Sequence, residues 1–126
     1  MSTEASERVV DEFIAALVLG DVDQIVELFS DDAVYHPRPM SPAVGKPAIR
    51  RMLTEWFSVD YRTIKIDVHR TLSDERVVMH ERTDVFVLNG QEFEHPTAVT
   101  FEIDGDGKLT ACREYFDMSP FVTPQT

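Results

Sequence analysis

The spacing of apolar residues changes once along this 126-residue chain, and that change limits the folds open to it. Before residue 60 the spacing is that of amphipathic helices, in which apolar residues recur every three or four positions. The first such stretch, SERVVDEFIAALVLGD, has five apolar residues on one stripe: Val9, Val10, Phe13, Ile14 and Leu17. Gly20 predicts the end of this helix, Asp21 predicts the cap of a short second helix in VDQIVELFS, and KPAIRRMLTEWFS predicts a third helix.

From Tyr61 onward apolar and polar residues alternate, which is typical of β-strands with one buried face. Strands are predicted in YRTIKIDVHRTLS, ERVVMHERTDVFVL, QEFEHPTAVTFEI and KLTACREYFDM. The Asn-Gly pair of LNGQ predicts a type I′ hairpin turn, and DGDG (104–107) predicts the next turn. The segment DDAVYHPRPMSPAVG contains three prolines, so we expect it to be mostly irregular after a brief extended start.

Helices followed by a meander of long strands predict an α+β fold, with the helices packed on one face of an antiparallel or mixed sheet. A curved sheet wrapped around N-terminal helices forms a cone, and a cone closed at one end encloses a deep apolar pocket. The chain length and the lack of a linker-like stretch predict one domain, residues 1–126.

The charge balance restricts the partners of the chain. Twelve Lys and Arg against 23 Asp and Glu give a net charge of −11, which repels nucleic acid backbones and anionic lipid surfaces. No apolar stretch approaches the ~20 residues of a membrane span, and the first residues lack the pattern of a secretory signal. The single Cys112 excludes an internal disulfide, and the four histidines lack metal-ligand spacing. We expect a cytoplasmic protein without metal or cofactor, whose partner is a neutral or apolar small molecule or another protein.

A cation and an anion stand in phase inside one apolar strand. Because alternate strand residues share a face, Arg82 and Asp84 point the same way as Val78, His80, Phe86 and Leu88. In the last strand five residues share a face: Leu109, Ala111, Arg113, Tyr115 and Asp117. If both faces line the pocket, Arg82 lies between Asp84 and Asp117. The alternative is a solvated ion pair on a half-exposed sheet, which adds little stability.

The stretch HERTDVFVLNGQEFEHP, followed by VTFEIDGDGKLTACREYFD, resembles the limonene-1,2-epoxide hydrolase family of the SnoaL-like, nuclear transport factor two-like cone folds. That family pairs an Arg-x-Asp strand motif with an Arg-Asp-Tyr-Phe-Asp-type ending. This chain has Arg82-Thr83-Asp84 and Arg113-Glu114-Tyr115-Phe116-Asp117. The segment YHPRPMSPAVG also resembles the Tyr-x-Asn segment of the family. The resemblance covers nearly the whole chain and implies the cone fold and a homodimer.

The resemblance implies one-step addition of water to a small apolar epoxide, giving a diol without a covalent intermediate. Carried over by position, Asp117 is the general base that activates water and Asp84 is the general acid at the epoxide oxygen. The resemblance further implies that Arg82 bridges and orients both carboxyl groups and that Tyr35 helps to hold the water. The second water-binding residue of the family, an Asn, falls on Pro37, which has no side-chain donor or acceptor.

The chemistry of such a trio suits this reaction. One arginine with two carboxylates carries a net negative charge, and one proton on the pair makes the trio neutral and less costly to bury. The pair then holds an acid and a base at the same pH, which is what opening an epoxide requires.

Six further residues are expected to contact the substrate: His36, Met52, Trp56, His80, Phe86 and His95. His80 and Phe86 share the face of Arg82, and a structural, hydrogen-bonded histidine is the alternative for His80. His36 is a candidate polar group near the pocket mouth. The C-terminal SPFVTPQT has three open interpretations: it covers the pocket, contacts a dimer partner or frays.

Two other functions remain open. The first is a ketosteroid-isomerase-like or polyketide-cyclase-like enzyme. Isomerases of this fold carry a catalytic Asp where this chain has His36, and a first-helix Tyr where it has Phe13. The second is a non-catalytic small-ligand binder in which Arg82, Asp84 and Asp117 form a structural ion network, and Pro37 favours this reading.

Overall fold

The computed structural model describes residues 2–122, so residues 123–126 of the C-terminal tail lie outside the described part. The elements follow in the order α1 (Thr3–Leu19), α2 (Val22–Glu27), β1 (Phe29–Arg38), β2 (Ala43–Val44), α3 (Lys46–Ser58), β3 (Tyr61–Ser73), β4 (Val77–Leu88), β5 (Gln91–Ile103), β6 (Leu109–Tyr115) and α4 (Ser119–Val122). The strands form one sheet in the order β2-β1-β6-β5-β4-β3, in which only the β1–β6 pair is parallel among the described residues. The predicted α+β fold, N-terminal helices on a curved mixed sheet, is confirmed.

Local sequence explains where the helices begin and end. Ser2 Oγ accepts a hydrogen bond from the Ala5 amide at the start of α1, and Gly20 ends that helix in the left-handed conformation at φ 70°. Asp21 caps α2 through the Gln24 amide, as its position predicts. Helix α3 has the predicted bounds. No helix within residues 2–122 is long and apolar enough to cross a membrane.

Helices α1 and α3 pack against one face of the sheet, which we call the inner face. Phe13 of α1 lies at the centre of this packing, and its ring centroid is 5.6 Å from those of Phe29 and Phe101 and 5.9 Å from that of Tyr35. Each fully buried aromatic ring contributes about 1.5–3 kcal/mol to folding. The helices and the sheet are therefore held together by a shared apolar layer.

The hairpin between β4 and β5 fixes which residues face inward. Asn89 and Gly90 have φ of 52° and 80°, the positive values that a type I′ turn requires, so the turn prediction is confirmed. The resulting register places Arg82 opposite Thr97, and Asp84 opposite His95. Arg82 and Asp84 share a face, as the alternation predicts, and the structure shows that this is the inner face.

The proline-containing segment DDAVYHPRPMSPAVG lies largely in strands β1 and β2, so the prediction of a mostly irregular segment is wrong. Strand β1 continues to Arg38, with Ala33, Tyr35 and Pro37 buried and the residues between them more exposed. Its pairing with β2 ends at Val34 and Tyr35, so the following residues form a sheet edge on that side. Proline is tolerated at an edge because no ladder hydrogen bond is lost there.

The faces predicted for the last strand are also wrong. Ile103 pairs with Leu109 but Glu102 pairs with Ala111, so β6 has one extra residue, Thr110. Such a bulge reverses the side to which all later side chains point. Glu114 is therefore buried on the inner face, whereas Tyr115 is 45% exposed.

Candidate active site

A cavity of about 250 Å³ lies between the inner face of the sheet and the helices. Tyr35, Arg82, Asp84 and Glu114 form one polar wall of this cavity. Most of the other lining residues are apolar or aromatic, among them Pro37, Trp56, Phe86, Leu88, Phe116 and Phe121. The cavity is thus an apolar space with one polar wall, the arrangement that small-molecule sites favour.

Arg82 is the centre of the polar wall and its side chain is fully buried. Its Nε donates to Asp84 Oδ1 at 2.7 Å and its Nη2 donates to Asp84 Oδ2 at 3.1 Å, a two-point contact that fixes the carboxylate. The same Nη2 donates to Glu114 Oε2 at 3.4 Å. Burial alone would lower the pKa of Arg82, but the two carboxyl groups outweigh it and raise that pKa, so the guanidinium stays charged.

Glu114 is the second carboxyl group of the site. Tyr35 donates from its hydroxyl to Glu114 Oε2 at 3.0 Å. Burial raises the pKa of Glu114 to about 7, and the neighbouring Asp84 adds to this, against the opposing charge of Arg82 and the hydrogen bonds from Arg82 and Tyr35. A proton therefore resides on Glu114 or leaves it close to neutral pH, which is the range in which an acid–base group works best.

Asp117 is not part of this group, which corrects the prediction that it completes a trio with Arg82 and Asp84. It lies two residues beyond β6, is exposed, and its carboxylate accepts hydrogen bonds from the Ser119 amide at 3.0 Å and the Ser119 hydroxyl at 2.7 Å. These bonds lower its pKa. Glu114 takes the expected place of Asp117 beside Arg82 because the bulge at Thr110 turns it inward.

The predicted trio therefore contains the wrong one of two acidic residues in the same motif. The ending Arg113-Glu114-Tyr115-Phe116-Asp117 has an acidic residue at its second and fifth positions, and the family pattern has Asp at both. The conservative exchange of Asp for Glu at the second position was the available signal. Counting alternate residues from Leu109 puts Asp117, and not Glu114, on the face of Leu109, because that count assumes a strand without a bulge.

Tyr35 and Pro37 are next to Glu114 on the neighbouring strand. In the parallel ladder of β1 and β6, Tyr35 pairs with Cys112 and Pro37 pairs with Glu114. Pro37 lines the cavity, and its carbonyl already accepts a hydrogen bond from the Met40 amide at 2.8 Å. One buried donor of the polar wall is unused: Arg82 Nη1 has no hydrogen-bond partner within the described residues.

The six predicted substrate contacts divide into two groups. Trp56, Phe86 and His95 line the cavity, and the Trp56 ring packs edge-on to Tyr35 at 5.8 Å. The described lining does not include the other three: Met52 packs on the core, His36 pairs with Arg113 and alternates with the inward residues, and His80 packs edge-on to Phe101 at 5.5 Å. Burial, with a contribution from Arg82, lowers the pKa of His80 to about 4.

The donor set of the site suits acid–base chemistry. Among residues 2–122, no three His, Cys, Asp or Glu side chains are grouped so that they could hold a metal ion. Two carboxyl groups, one fixed cation and one phenol converge at the same end of an apolar cavity. Such a group can exchange protons with a bound molecule and can hold a polar atom of it in place.

Comparison with known proteins agrees with the geometry. The model of the SnoaL-like domain matches residues 10–112. The chain is 32% identical over 110 residues to the epoxide hydrolase EphG of Mycobacterium tuberculosis, covering 86% of this chain and 71% of the relative.

Two solved structures illustrate the fold. The structure of an M. tuberculosis LEH-like epoxide hydrolase superposes with a TM-score of 0.80 at 28% identity, covering 92% of this chain and 85% of the other. SalBIII, an epoxide hydrolase/cyclase-like enzyme of pyran ring formation in salinomycin, superposes with a TM-score of 0.79 at 19% identity, covering 92% and 93%. At that identity the second match shows the fold alone. The chain therefore belongs to the SnoaL-like domain family and, within the nuclear transport factor two-like superfamily, to the limonene-1,2-epoxide hydrolase-like proteins.

Proposed function

We propose that this protein is an epoxide hydrolase of the limonene-1,2-epoxide hydrolase type, which adds water to a small apolar epoxide in one step and releases a diol. The observation that carries the proposal is the buried contact of Arg82 with both Asp84 and Glu114 at the polar wall of an apolar cavity. The membership of the chain in a family that includes an epoxide hydrolase supports it.

The proposed reaction uses one carboxyl group as base and the other as acid. In the form that reacts, the single proton of the carboxyl pair is on Asp84 and Glu114 is ionised. Glu114, held by Tyr35, takes a proton from water while the water oxygen forms a bond to an epoxide carbon. The carbon–oxygen bond of the epoxide breaks, and its oxygen receives a proton from Asp84. The step leaves Glu114 protonated and Asp84 ionised, and transfer of one proton restores the starting state. Arg82 contacts both groups throughout and so limits the charge that is exposed in the cavity.

The position of Pro37 bears on how the water is held. Its side chain has no polar atom, so it offers no hydrogen bond beside Glu114. The remaining holders are Glu114 itself and the Tyr35 hydroxyl, while the unused Nη1 of Arg82 is a further donor at the same group. Because fewer groups hydrogen-bond to the water, it is less well ordered, and we expect a modest kcat.

The test is hydrolysis of cyclohexene oxide and of a cyclic terpene epoxide in ¹⁸O-labelled water. Under single turnover the label should appear in the diol and none in the protein, because water attacks the epoxide directly. Asp84→Asn and Glu114→Gln should each lower kcat by about 10²–10⁴-fold, the usual contribution of a general acid or base. Asp106→Asn, which changes an exposed turn carboxylate, is the matched control. Full activity in either site variant would exclude the mechanism.

A non-catalytic binder of the same fold is the alternative outcome. It would show binding of apolar ligands to the cavity and no turnover across an epoxide panel. The isomerase-like alternative finds less support, because His36 is outside the described cavity lining and Phe13 is buried in the core.

The proposal extends to the assembly and location of the protein. We propose a homodimer formed through the outer face of the sheet, where Leu72 and Met79 are paired across strands and are 74% and 47% exposed. Sedimentation analysis measures this directly. A cytoplasmic location agrees with the single, buried Cys112, and cell fractionation is the corresponding test.

A further inference from the structure

The C-terminal segment from Phe116 to Phe121 forms part of the cavity wall. Both phenylalanine rings line the cavity, although both residues come after the last strand of the sheet. Phe121 stacks on Phe86 with centroids 5.3 Å apart and an angle of 8° between the rings. Phe86 in turn stacks on Phe93 at 5.3 Å. The segment is thus joined to the sheet through a row of three parallel rings.

The position of this wall relative to the carboxyl groups follows from β4. Phe86 lies four residues beyond Arg82, towards the hairpin turn, which is about 13 Å along an extended strand. Leu88, two residues further, also lines the cavity. The cavity therefore extends along β4 from a polar end at Arg82 to an aromatic end, and Phe121 lies at the aromatic end because it stacks on Phe86.

The C-terminal segment is held in place by polar contacts that take no part in the proposed reaction. The Asp117 carboxylate accepts from the Ser119 amide and hydroxyl, which closes the turn into α4. The Asp117 carbonyl accepts a hydrogen bond from His95 Nε2 at 2.7 Å. Since a carbonyl only accepts, Nε2 of His95 carries the proton. The His95 ring also packs edge-on to Phe116 at 5.1 Å and to Phe121 at 5.6 Å.

We propose that Asp117 and His95 are positioning residues that fix the C-terminal turn, so that Phe121 determines the length of the substrate that the cavity accepts. The proposal rests on the proposed function for its substrate class, a small apolar epoxide. A molecule whose oxygen reaches Asp84 and Glu114 must place its apolar body along β4, and a long body meets the Phe121 ring. Short molecules fit beneath this ring and gain contact with it.

The consequence for Asp117 is a change of role. The sequence suggested a base, and the structure instead supports an anchor whose carboxylate never contacts the substrate. An anchor affects the selection of ligands by length, whereas a base affects the rate of the chemical step. The two roles are therefore separable by measuring ligand binding and turnover on the same variants.

Trp56 makes the binding measurement direct, because it is the only tryptophan of the chain and it lines the cavity. Quenching of its fluorescence gives the Kd of two unreactive alcohols, cyclohexanol and 4-phenylcyclohexanol, which share a hydroxyl-bearing ring and differ in length. The selectivity is the ratio of the Kd of the long alcohol to that of the short one. It does not depend on turnover, so its outcome is independent of whether the protein hydrolyses epoxides.

Phe121→Ala should lower this ratio at least tenfold, through tighter binding of the long alcohol and weaker binding of the short one. Asp117→Ala should shift the ratio in the same direction by a smaller factor, and Asp106→Ala, which removes another exposed carboxylate, should not shift it. A ratio within twofold of the parent in Phe121→Ala would overturn the proposal. If the Kd ratio of Asp117→Ala equals that of Asp106→Ala, the proposed anchoring role of Asp117 is refuted.

Turnover supplies the second measurement. With cyclohexene oxide, Asp117→Ala should change KM more than kcat and leave the pH dependence of kcat in place. Loss of kcat by 10²-fold or more with unchanged Kd values would show that Asp117 acts in the chemical step, and the positioning role would then be wrong. If the parent itself turns over no epoxide, the proposed function fails while the Kd ratios still decide the role of Phe121.

Discussion

Replacing Glu114 with glutamine should reduce the dependence of protein stability on pH. Glutamine has the same shape, keeps an oxygen that can accept from Tyr35, and cannot ionise. In the parent, burial raises the pKa of Glu114 from the ordinary 4.5 to about 7 in the folded state. The difference is about 2.5, and each pKa unit corresponds to about 1.4 kcal/mol, so ionising this carboxyl group costs the folded protein about 3 kcal/mol.

The sign follows from where each state binds the proton. Below pH 4.5 the carboxyl group is protonated in both the folded and the unfolded chain, and its stabilising contribution is fully present. As pH rises towards 7 the unfolded chain loses the proton first, so the free energy of unfolding decreases. Above 7 both states are ionised and the loss is complete. Glu114→Gln removes this component, and the stability of the variant relative to the parent should rise between pH 5 and pH 8 by about 2–3 kcal/mol.

Urea denaturation at closely spaced pH values, followed by far-ultraviolet circular dichroism, measures this difference. Glu94→Gln is the matched control because Glu94 is exposed on β5. Parallel curves of unfolding free energy against pH for the parent and Glu114→Gln would refute the reasoning, since they would mean that Glu114 is not a buried carboxyl group with a raised pKa. The measurement requires no substrate and so tests the electrostatics of the site by itself.

Three further predictions concern neighbours of Glu114. The rate of epoxide hydrolysis should fall as pH rises through about 7, because the carboxyl pair then loses its last proton and no acid remains; a flat kcat profile from pH 6 to 9 would contradict this. Tyr35→Phe removes a hydrogen bond that favours ionised Glu114, so the fall in rate should move to higher pH. The variant should also lose about 1–3 kcal/mol of stability in urea denaturation. Cys112 is fully buried and burial raises its pKa, so a disulfide reagent such as dithionitrobenzoate should react with it only after denaturation; rapid reaction with the native protein would show that β6 opens readily.

Alternation along a strand predicts only some of the contacts in this site. Arg82 and Asp84 are on the same strand, two residues apart, so alternation alone places them side by side. The third member is on another strand, and its direction depends on how β6 pairs with β5. One extra residue, Thr110, decides that direction, and no local propensity marks it. The choice between Glu114 and Asp117 was therefore a tertiary question.

Burial is the other property that the local pattern does not contain. The pKa of Glu114 rises because helices and sheet together remove it from water, while Asp117, of the same chemical class, remains exposed and has a lowered pKa. His80 and His95 are equally placed by alternation, yet only His95 reaches the cavity and the C-terminal turn. Distances along the chain do not predict such contacts.

The sequence by itself determined the order of α1, α2, α3 and the strands β3 to β6, the hairpin turn at Asn89 and Gly90, and the shared face of Arg82 and Asp84. These features depend on periodicity and turn chemistry, which act over a few residues. The tertiary structure decided that β1 continues through Pro37, that Glu114 rather than Asp117 meets Arg82, and that the Asp117 carboxylate instead accepts hydrogen bonds from Ser119. Each of these depends on pairing between strands distant in sequence, because only packed neighbours settle register, burial and charge.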